Sequence, residues 1–588
     1  MNEHFDVIII GTGAGGGTLL HRLAASGKRI LVLERGPFLP REKENWNYFG
    51  SFKYYSSEVM FNKDGGEIRP GFSYHVGGNT KVYGAALFRL REKDFEAYQH
   101  RDGLSPEWPI KYRDWENYYA QAEELYQVHG QAGADPTEPW RSGGYAYPPI
   151  SHEPRIAQVF GALKQRGLKP YPAPMGVRLN EAAPHLSACI RCDTCDGYPC
   201  MVGAKSDADV MCVRPVMAGQ RLLSPSLSSI PNGGEGGRRP GEEVTSPLKP
   251  TDVTLLTEAK VLRLHTSPSG REITGVVAEV TGQQREFSGD IVVVSCGAVN
   301  SAALLLRSAN DRHPHGLANN SSGLVGRNLM KHVLGSLVAV TTLKPNPSRF
   351  QKTMAINDFY WGEPGYEFPM GNIQLMGKTV IEGLRGYEAK YAPLTIEEVA
   401  KNSIDWWLTT EDLPDAKNQV RVAGTDRIVI DYTENNSEPF ARLNARWREI
   451  LQAVDQDMVA ADVSRLKLGG SQSGLTSAAT GIKTGYFETK MPMHSLGHQV
   501  GTCKFGEDPK TSVLDLNCRA HDVDNLHVVD GSFFVSSGAV NPTLTIVANA
   551  LRVGDHLLER LGAAADVRQR NLHDDAVHLV TSAEMAMA

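Results

Sequence analysis

The chain has 588 residues, more than one hydrophobic core usually organises, so we expect at least two lobes. With 41% hydrophobic and 22% charged residues, its composition is that of an ordinary globular protein. A formal charge of −6 argues against nucleic acid as a partner. We find neither an apolar run long enough to span a membrane nor a secretory signal pattern. We therefore expect a cytoplasmic protein.

A glycine-rich turn lies between two predicted strands in the N-terminal region. Phe5–Ile10 is a short apolar run, residues 11–17 read Gly-Thr-Gly-Ala-Gly-Gly-Gly, and Thr18–Ser26 has the pattern of a helix. A second apolar run, residues 29–33, ends at Glu34. Strand, glycine turn, helix, strand and acid in this order are typical of a Rossmann-type dinucleotide site.

Each residue of this motif has a physical reason. Gly11 permits the tight turn, Gly13 lets the backbone approach a pyrophosphate, and Gly16 allows close packing of helix on strand. The phosphates would meet the unpaired amides at the helix N-terminus. Glu34 would accept a hydrogen bond from a ribose 2′-hydroxyl and would repel the 2′-phosphate of NADP. The motif alone does not distinguish FAD from NAD.

The C-terminal region carries a second set of motifs. His498-Gln-Val-Gly-Thr502 precedes a predicted strand that ends at Asp530-Gly531, and Asn541-Pro542-Thr543 precedes an apolar helix over residues 546–558. The pattern resembles the C-terminal signature of the glucose–methanol–choline (GMC) oxidoreductase family. It is most similar to the branch of pyranose oxidases and sugar dehydrogenases, in which His is paired with Asn. Two further segments, His75–Thr80 and Cys296–Ala302, resemble other motifs of the family.

The resemblance implies an α/β fold, α+β overall, with two domains. We expect a discontinuous Rossmann-type FAD-binding domain from residues 1–95, 200–330 and 495–565, with a flexible insertion at 226–250. The substrate-binding domain, built on an antiparallel sheet flanked by helices, would take residues 96–199 and 331–494. Residues 566–588 would form a tail.

The resemblance also implies the chemistry, oxidation of a CH–OH group on a sugar, glycoside, aminoglycoside or other polyol. His498 would remove the hydroxyl proton while hydride passes to flavin N5, and Asn541 would orient the substrate oxygen. Two alternatives stay open at these positions. His494 would be the base if the motif were aligned one step away, and Asn541 could be only a helix N-cap before Pro542.

The implied cofactor is FAD. Some relatives attach it covalently through a His just after the glycine pair, but residues 79–84 contain no His, so we expect non-covalent binding. The residues that would contact FAD are Gly11, Gly13, Ala14, Gly16, Glu34, Arg35, Gly77, Gly78, Asn79, Thr80, the strand at Lys260 and Val261, Cys296, Asp530, Gly531, Asn541, Pro542 and Thr543.

Five of the eight cysteines lie close together in the sequence. Cys189, Cys192, Cys195 and Cys200 are followed by Cys212, a density that suits an iron–sulfur cluster, zinc, free thiols or a local disulfide. An iron–sulfur cluster would make the protein a dehydrogenase that passes electrons to a partner.

Alternating apolar runs at residues 337–340 and 427–432 predict an antiparallel sheet in the substrate-binding domain. Residues 403–407 are interpreted as the end of an aromatic-rich helix. Trp406 or Trp407 would either stack on a sugar or pack between the lobes.

Three alternatives accompany the main hypothesis: the iron–sulfur dehydrogenase, a non-redox lyase with structural FAD, and an NAD enzyme. For the oxidoreductase we expect an alcohol or sugar as substrate, and oxygen, an electron-accepting protein or a quinone as electron acceptor.

Overall fold

The computed structural model describes residues 3–42, 53–222, 245–247, 252–318, 321–424, 426–465, 482–492 and 497–563. The tail at 566–588, His494 and all of the predicted insertion except residues 245–247 lie outside this part of the chain. None of the described helices is both long and apolar enough to cross a membrane.

The described residues contain 23 β-strands, numbered in chain order: β1 (Glu3–Ile10), β2 (Ile30–Leu33), β3 (Met60–Asn62), β4 (Glu67–Ile68), β5 (Tyr98–Gln99), β6 (Leu104–Ser105), β7 (Val128–His129), β8 (Tyr171–Pro172), β9 (Met175–Gly176), β10 (Gln220–Leu222), β11 (Thr245–Pro247), β12 (Val253–Leu256), β13 (Ala259–Thr266), β14 (Ile273–Val280), β15 (Gln283–Val294), β16 (Val333–Thr341), β17 (Met354–Ile356), β18 (Asn372–Leu375), β19 (Ser403–Thr410), β20 (Gln419–Ala423), β21 (Arg427–Asp431), β22 (Thr484–Lys490) and β23 (Leu526–Val528).

The same part of the chain contains ten α-helices: α1 (Ala14–Leu23), α2 (Tyr112–Leu125), α3 (Pro154–Gln165), α4 (Arg214–Met217), α5 (Ala298–Arg307), α6 (Ile381–Leu384), α7 (Glu388–Tyr391), α8 (Ile396–Asn402), α9 (Ser437–Arg465) and α10 (Thr543–Arg560).

The first sheet has seven strands and is mainly parallel. Strands β12, β2, β1 and β15 run parallel in that order, and β23 joins the other side of β15. Strands β13 and β14 extend the sheet as an antiparallel pair, joined by a hairpin turn around Gly270. The parallel strands consist mainly of buried Val, Ile and Leu, because helices cover both faces of such a sheet.

The second sheet has six strands, all antiparallel, in the order β22-β16-β19-β18-β17-β8. Helices α3 and α9 pack their apolar side chains against one face of it. The two main sheets therefore confirm the predicted fold class, a mixed α/β architecture with a second, antiparallel sheet.

Three local predictions were wrong or incomplete. Helix α1 begins at Ala14 rather than Thr18, because Gly13 is its N-cap and three glycines form its first turn. Residues 403–407 belong to strand β19, where Ile404, Trp406 and Leu408 alternate toward the core with period two. The predicted run at residues 427–432 forms β21, which pairs antiparallel with β20, but in a four-stranded sheet with β3 and β4 that is separate from the sheet of β16.

The glycine turn packs against the first sheet at very short range. Gly11 has φ +97°, which favours glycine, and a Cβ on it would stand 2.3 Å from the Ser295 carbonyl oxygen. A Cβ on Gly15 would stand 1.8 Å from the Val529 oxygen, and one on Gly16 would stand 2.1 Å from the Gly11 oxygen. Only glycine fits at these positions, so the turn is fixed to the ends of β15 and β23.

We predict that Gly16→Ala destabilises the protein while Gly161→Ala does not. The Gly16 methyl would overlap backbone that cannot move away, and such overpacking costs about 1–3 kcal/mol or more. Gly161 lies inside α3, where a Cβ meets no atom within 4 Å, so alanine should stabilise the helix by up to about 1 kcal/mol. Urea unfolding of the two variants checks this, and equal effects of the two methyl groups would contradict it.

Candidate active site

A single cavity brings the N-terminal and C-terminal motifs together. Its wall includes residues 10–15, 295–300, 497–499 and 541–543. The cavity has a volume of about 390 Å³, within the range of about 300–1,000 Å³ that is usual for small-molecule sites. Of the residues predicted to contact a cofactor, all except Gly16 and Gly77 line this cavity.

The start of α1 offers a place for phosphates. Gly13 is the N-cap, and residues 13–15 line the cavity. The unpaired amides of the first helical turn therefore lie at the cavity wall. A Cβ on Gly13 would meet no protein atom within 4 Å, unlike the neighbouring glycines. The open space at Gly13 and the tight packing at Gly16 match the separate reasons given for the two residues.

Glu34 lies directly after β2, as predicted, but most of its hydrogen-bonding capacity is used within the protein. Its Oε2 accepts from Thr12 N at 3.0 Å and Thr12 Oγ1 at 2.6 Å, and its Oε1 accepts from Gly36 N at 3.0 Å. A carboxylate has about four lone-pair sites, so one remains for a ligand hydroxyl. Burial raises the pKa of Glu34, although these hydrogen bonds oppose the shift.

Gly77 does not line the cavity itself but is hydrogen-bonded to Thr12, which does. Its N–H donates to Thr12 Oγ1 at 3.1 Å, and the Thr12 hydroxyl in turn donates to Glu34. Gly77 and Gly78 both have positive φ, which explains the glycine pair. This chain of hydrogen bonds fixes the position of the glycine pair relative to the N-terminal turn.

Asp530 joins the C-terminal motif to the segment at residues 296–301. Its Oδ2 accepts from Gly297 N at 2.9 Å and from the Ser301 hydroxyl, and its Oδ1 accepts from Ser532 N at 2.8 Å and the Ser532 hydroxyl. These four donors saturate the carboxylate, which is buried. Asp530 therefore orients the backbone along the cavity and has no lone pair left for a ligand.

His498 lies in the cavity wall and is hydrogen-bonded to a second histidine. Its Nδ1 is 2.9 Å from Nδ1 of His332, and His332 Nε2 is 3.1 Å from the carbonyl oxygen of Ser537. Because a carbonyl only accepts, His332 carries its proton on Nε2. Burial lowers the pKa of His332 to about 4, so the ring is neutral at pH 7 and its Nδ1 is an acceptor.

His498 must then donate from Nδ1, which leaves Nε2 with a free lone pair. Burial lowers the pKa of His498 to about 3, and the neighbouring His332 and Lys352 act in the same direction. None of the described residues donates to Nε2. His332 immediately precedes β16, and it was missed because nothing in its local sequence marks it as a partner of a residue 166 positions away.

Asn541 also lies in the cavity wall, but it is not the helix N-cap. Helix α10 begins at Thr543 with Pro542 as its N-cap, and Asn541 precedes both. Its Oδ1 instead accepts from Gln374 Nε2 at 2.9 Å, across from strand β18. The alternative in which Asn541 only caps the helix is therefore wrong.

An ion pair and an indole line the same cavity. Asp196 Oδ2 accepts from Lys352 Nζ at 2.8 Å and from Trp407 Nε1 at 2.9 Å. Burial opposes ionisation of Asp196, but Lys352 and these hydrogen bonds keep its pKa below the ordinary value. Trp406 faces the opposite side of the sheet and packs on Trp447, so Trp407 is the tryptophan of the predicted pair that reaches the cavity.

Sequence reasoning missed Gln374, Asp196 and Lys352 as well as His332. A weak signal existed for Gln374, since Asn372 and Gln374 alternate with Ile373 and Leu375 in a short strand. Polar residues at this period usually face solvent, whereas here both are buried.

The cysteine segment lines part of the same cavity at Asp196 and Gly197. All eight cysteines are free thiols, and the described residues contain no group of three or more His, Cys, Asp or Glu arranged to hold an ion. Burial raises the pKa of Cys189 to about 11 and of Cys195 to about 12. The iron–sulfur and zinc hypotheses for Cys189, Cys192, Cys195 and Cys200 thus receive no support.

Lys205 anchors this segment instead. Its buried ammonium donates to the carbonyl oxygens of Tyr83, Cys195 and Tyr198 at 2.6–2.7 Å. The neighbouring Asp196 is thereby held in the cavity wall.

Two protein-family models match the chain, both described as GMC oxidoreductase, over residues 242–334 and 414–550. Over these two segments the chain is similar to GMC oxidoreductases, enzymes that act on alcohol groups.

Individual relatives cover almost the whole chain. It is 29% identical to 6'''-hydroxyparomomycin C oxidase of Streptomyces lividus, over 95% of this chain and 92% of that protein. It is 26% identical to 2-methyl-1,2-propanediol dehydrogenase of Mycolicibacterium austroafricanum, over 98% and 99%. Among solved structures, pyridoxine 4-oxidase from Mesorbium loti has the same fold, with a TM-score of 0.57, 18% identity and coverage of 94% and 98%.

Similarity to GMC oxidoreductases implies FAD, and the described residues fit a dinucleotide. The open space at Gly13, the free amides at the start of α1 and the one unused lone pair of Glu34 suit a pyrophosphate and a ribose. The same cavity continues to His498 and Asn541, where the reacting end of the cofactor and a substrate would meet.

Proposed function

We propose that the protein oxidises a secondary or primary alcohol of a neutral polyol or sugar, with His498 as the general base. The observation that carries this proposal is the hydrogen bond from His498 to His332, which leaves Nε2 of His498 as a proton acceptor in the cavity wall. An alcohol is a very weak acid, so its proton needs such an acceptor as the carbon is oxidised.

The reaction requires two transfers from the substrate. The hydroxyl proton passes to Nε2 of His498, and the carbon loses a hydride, which leaves a carbonyl. When bound, FAD supplies the redox chemistry by accepting that hydride. His498 is suited to its part because it is neutral and already holds its other proton on Nδ1.

Asn541 completes the proposed pair. Its Oδ1 is engaged by Gln374, so its Nδ2 is left to donate toward the cavity. A donor at the substrate oxygen stabilises the negative charge that develops there as the proton leaves. Asn541 does not compete as a base, because an amide does not accept a proton at neutral pH.

The charges near His498 favour a neutral substrate. Asp196 is neutralised by Lys352, and Gln374, Asn541 and Trp407 carry no charge. A polycation would find no net negative charge among the described residues there. One relative is named for a neutral diol and another for an aminoglycoside, and the balanced ion pair favours a substrate of the first kind. The Trp407 indole offers a flat apolar surface for a sugar ring.

We further propose that FAD is bound without a covalent link and that the enzyme acts in the cytoplasm. Residues 79–84 contain no histidine that could form such a link. Acid precipitation of the purified protein should release all the yellow colour into the supernatant. Flavin that stays with the pellet after washing would contradict this proposal.

Anaerobic reduction of the flavin by a panel of diols, polyols, sugars and aminoglycosides tests the proposed function. We expect bleaching of the flavin absorbance with neutral polyols or sugars, and a loss of about 10²–10⁴-fold in the limiting rate for His498→Ala with FAD retained. His265→Ala, at an exposed histidine on β13, is the matched control and should react normally.

Near-normal flavin reduction by His498→Ala would rule out His498 as the base. Addition of oxygen to the reduced enzyme, and then of an artificial electron acceptor, separates an oxidase from a dehydrogenase. A flavin that no alcohol reduces would favour the lyase alternative.

His332 should act by holding His498, and two variants separate this role from simple packing. His332→Leu removes the acceptor of the Nδ1 proton, and we expect the limiting rate to fall at least about tenfold. His332→Gln can donate to the Ser537 oxygen and accept from His498, so it should recover part of the rate.

The pH profile gives an independent measurement. The pKa of His498 is lowered to about 3, so kcat/KM of the wild type should stay level as the pH falls from 7 to about 5. His332 is neutral over this range, so the rate of His332→Leu should be reduced by the same factor from pH 7 to about 5. A rate of His332→Leu equal to that of the wild type across this range would contradict the role of His332.

A further inference from the structure

A row of buried amide side chains connects Asn541 to a carboxylate in another part of the chain. Gln374 Nε2 donates to Asn541 Oδ1 at 2.9 Å and to Asn372 Oδ1 at 3.0 Å. Asn372 Nδ2 donates to Asn357 Oδ1 at 2.8 Å, and Asn357 Nδ2 donates to Asp135 Oδ2 at 2.9 Å. The three amides between the ends of the row are no more than 1% exposed.

The carboxylate at the far end gives the row a direction. A carboxylate oxygen only accepts, so Asn357 must present its amide nitrogen to Asp135 and its oxygen to Asn372. Asn372 must then present its oxygen to Gln374, and Gln374 its nitrogen to Asn541. A flip of any one amide would set two donors or two acceptors against each other.

The surroundings of Asn357 strengthen the same orientation. Its Nδ2 also lies 3.1 Å from Thr137 Oγ1 and 2.7 Å from the Tyr171 hydroxyl. The Thr137 hydroxyl donates to Asp135 at 2.9 Å, so it can only accept from Asn357. Every contact of this nitrogen is therefore with an acceptor.

We propose that Asp135, Asn357, Asn372 and Gln374 form an orienting relay that keeps Asn541 with its amide nitrogen toward the cavity. This inference rests on the proposed function. Asn541 touches the substrate oxygen, while the four relay residues are positioning residues that act through it. An amide free to turn would present its oxygen for part of the time and repel the oxygen of the reacting alcohol.

The orientation of Gln374 within the relay leaves one of its own polar atoms without a hydrogen bond in the described part of the chain. Its Oε1 is buried and has no hydrogen-bond partner among the described residues. A buried acceptor without a partner destabilises the folded protein, because it has lost its hydrogen bonds to water. An unconstrained glutamine would turn so that its oxygen accepts a hydrogen bond. Here its nitrogen donates to Asn372 and Asn541 instead.

A double-mutant cycle with flavin reduction as the readout tests the relay. Gln374→Met keeps the length of the side chain but cannot donate, and we expect the limiting rate of anaerobic flavin reduction to fall about tenfold. In an Asn541→Ala background the same change should alter the rate less than about twofold, because the relay has nothing left to orient. The KM should change less than the limiting rate in the wild-type background.

Equal losses in both backgrounds would overturn the relay and would assign Gln374 to the fold or to direct contact with the substrate. Melting temperature and FAD content are measured for each variant. Asp135→Asn tests the far end, where the new side chain keeps its shape but no longer forces the direction. It should lower the rate only when Asn541 is present, and an unchanged rate in the wild-type background would also overturn the proposal.

Neutron diffraction from deuterated crystals gives a readout that does not depend on activity. We expect the deuterated Nδ2 of Asn541 to face the cavity in the wild type. In Gln374→Glu, whose carboxylate cannot donate, Asn541 should turn and present Oδ1 to the cavity. An unturned Asn541 in this variant would overturn the relay. If no alcohol reduces the wild-type flavin, the proposed function fails, while this orientation still tests the relay on its own.

Discussion

The carbonyl oxygen of Val529 stands 1.8 Å from the place a Cβ would take on Gly15, and it also accepts a hydrogen bond from the Ser295 hydroxyl at 2.7 Å. This contact joins three distant segments at the carboxyl ends of the parallel strands. The N-terminal turn can approach no closer, and any side chain there would push it away. Because Asp530 follows Val529 directly, the same contact sets where its carboxylate collects four donors from residues 297–301 and 532. The cavity and both of its ends depend on this close approach.

The reacting end of the site combines residues from both main sheets. His498 and Asn541 lie before and after β23 of the first sheet, whereas their partners His332 and Gln374 lie just before β16 and in β18 of the second. Asp196 and Lys352 add an ion pair on the same side. A rigid antiparallel sheet therefore holds the orientation of side chains that the longer C-terminal loops present, and loops alone would hold them less precisely.

The parts of this structure that could be predicted from sequence are those with local causes. The turn at Gly11–Gly16 follows from the conformations open to glycine. The strand before it and Glu34 after β2 follow from apolar runs, which pair with strands that are equally apolar. The predictions were wrong where contacts between residues far apart in the sequence determine the local structure. Residues 403–407 are rich in aromatics and resemble a helix end, but alternate burial against α9 makes them a strand. Asn541 before a proline resembles an N-cap, yet a glutamine 167 residues away takes its oxygen. No local pattern reports a partner at that separation.

A row of hydrogen bonds orients each of the two proposed reacting groups, one as an acceptor and the other as a donor. A backbone carbonyl, that of Ser537, ends the row that runs through His332, and because it only accepts, His498 is left as an acceptor. A carboxylate, that of Asp135, ends the row that runs through three amides, and after one more reversal Asn541 is left as a donor. An alcohol that gives up its proton needs an acceptor and a donor of this kind together. Since both orientations are fixed when the chain folds, the reaction itself need not reorganise the dipoles around it, which is the main source of electrostatic stabilisation in enzymes.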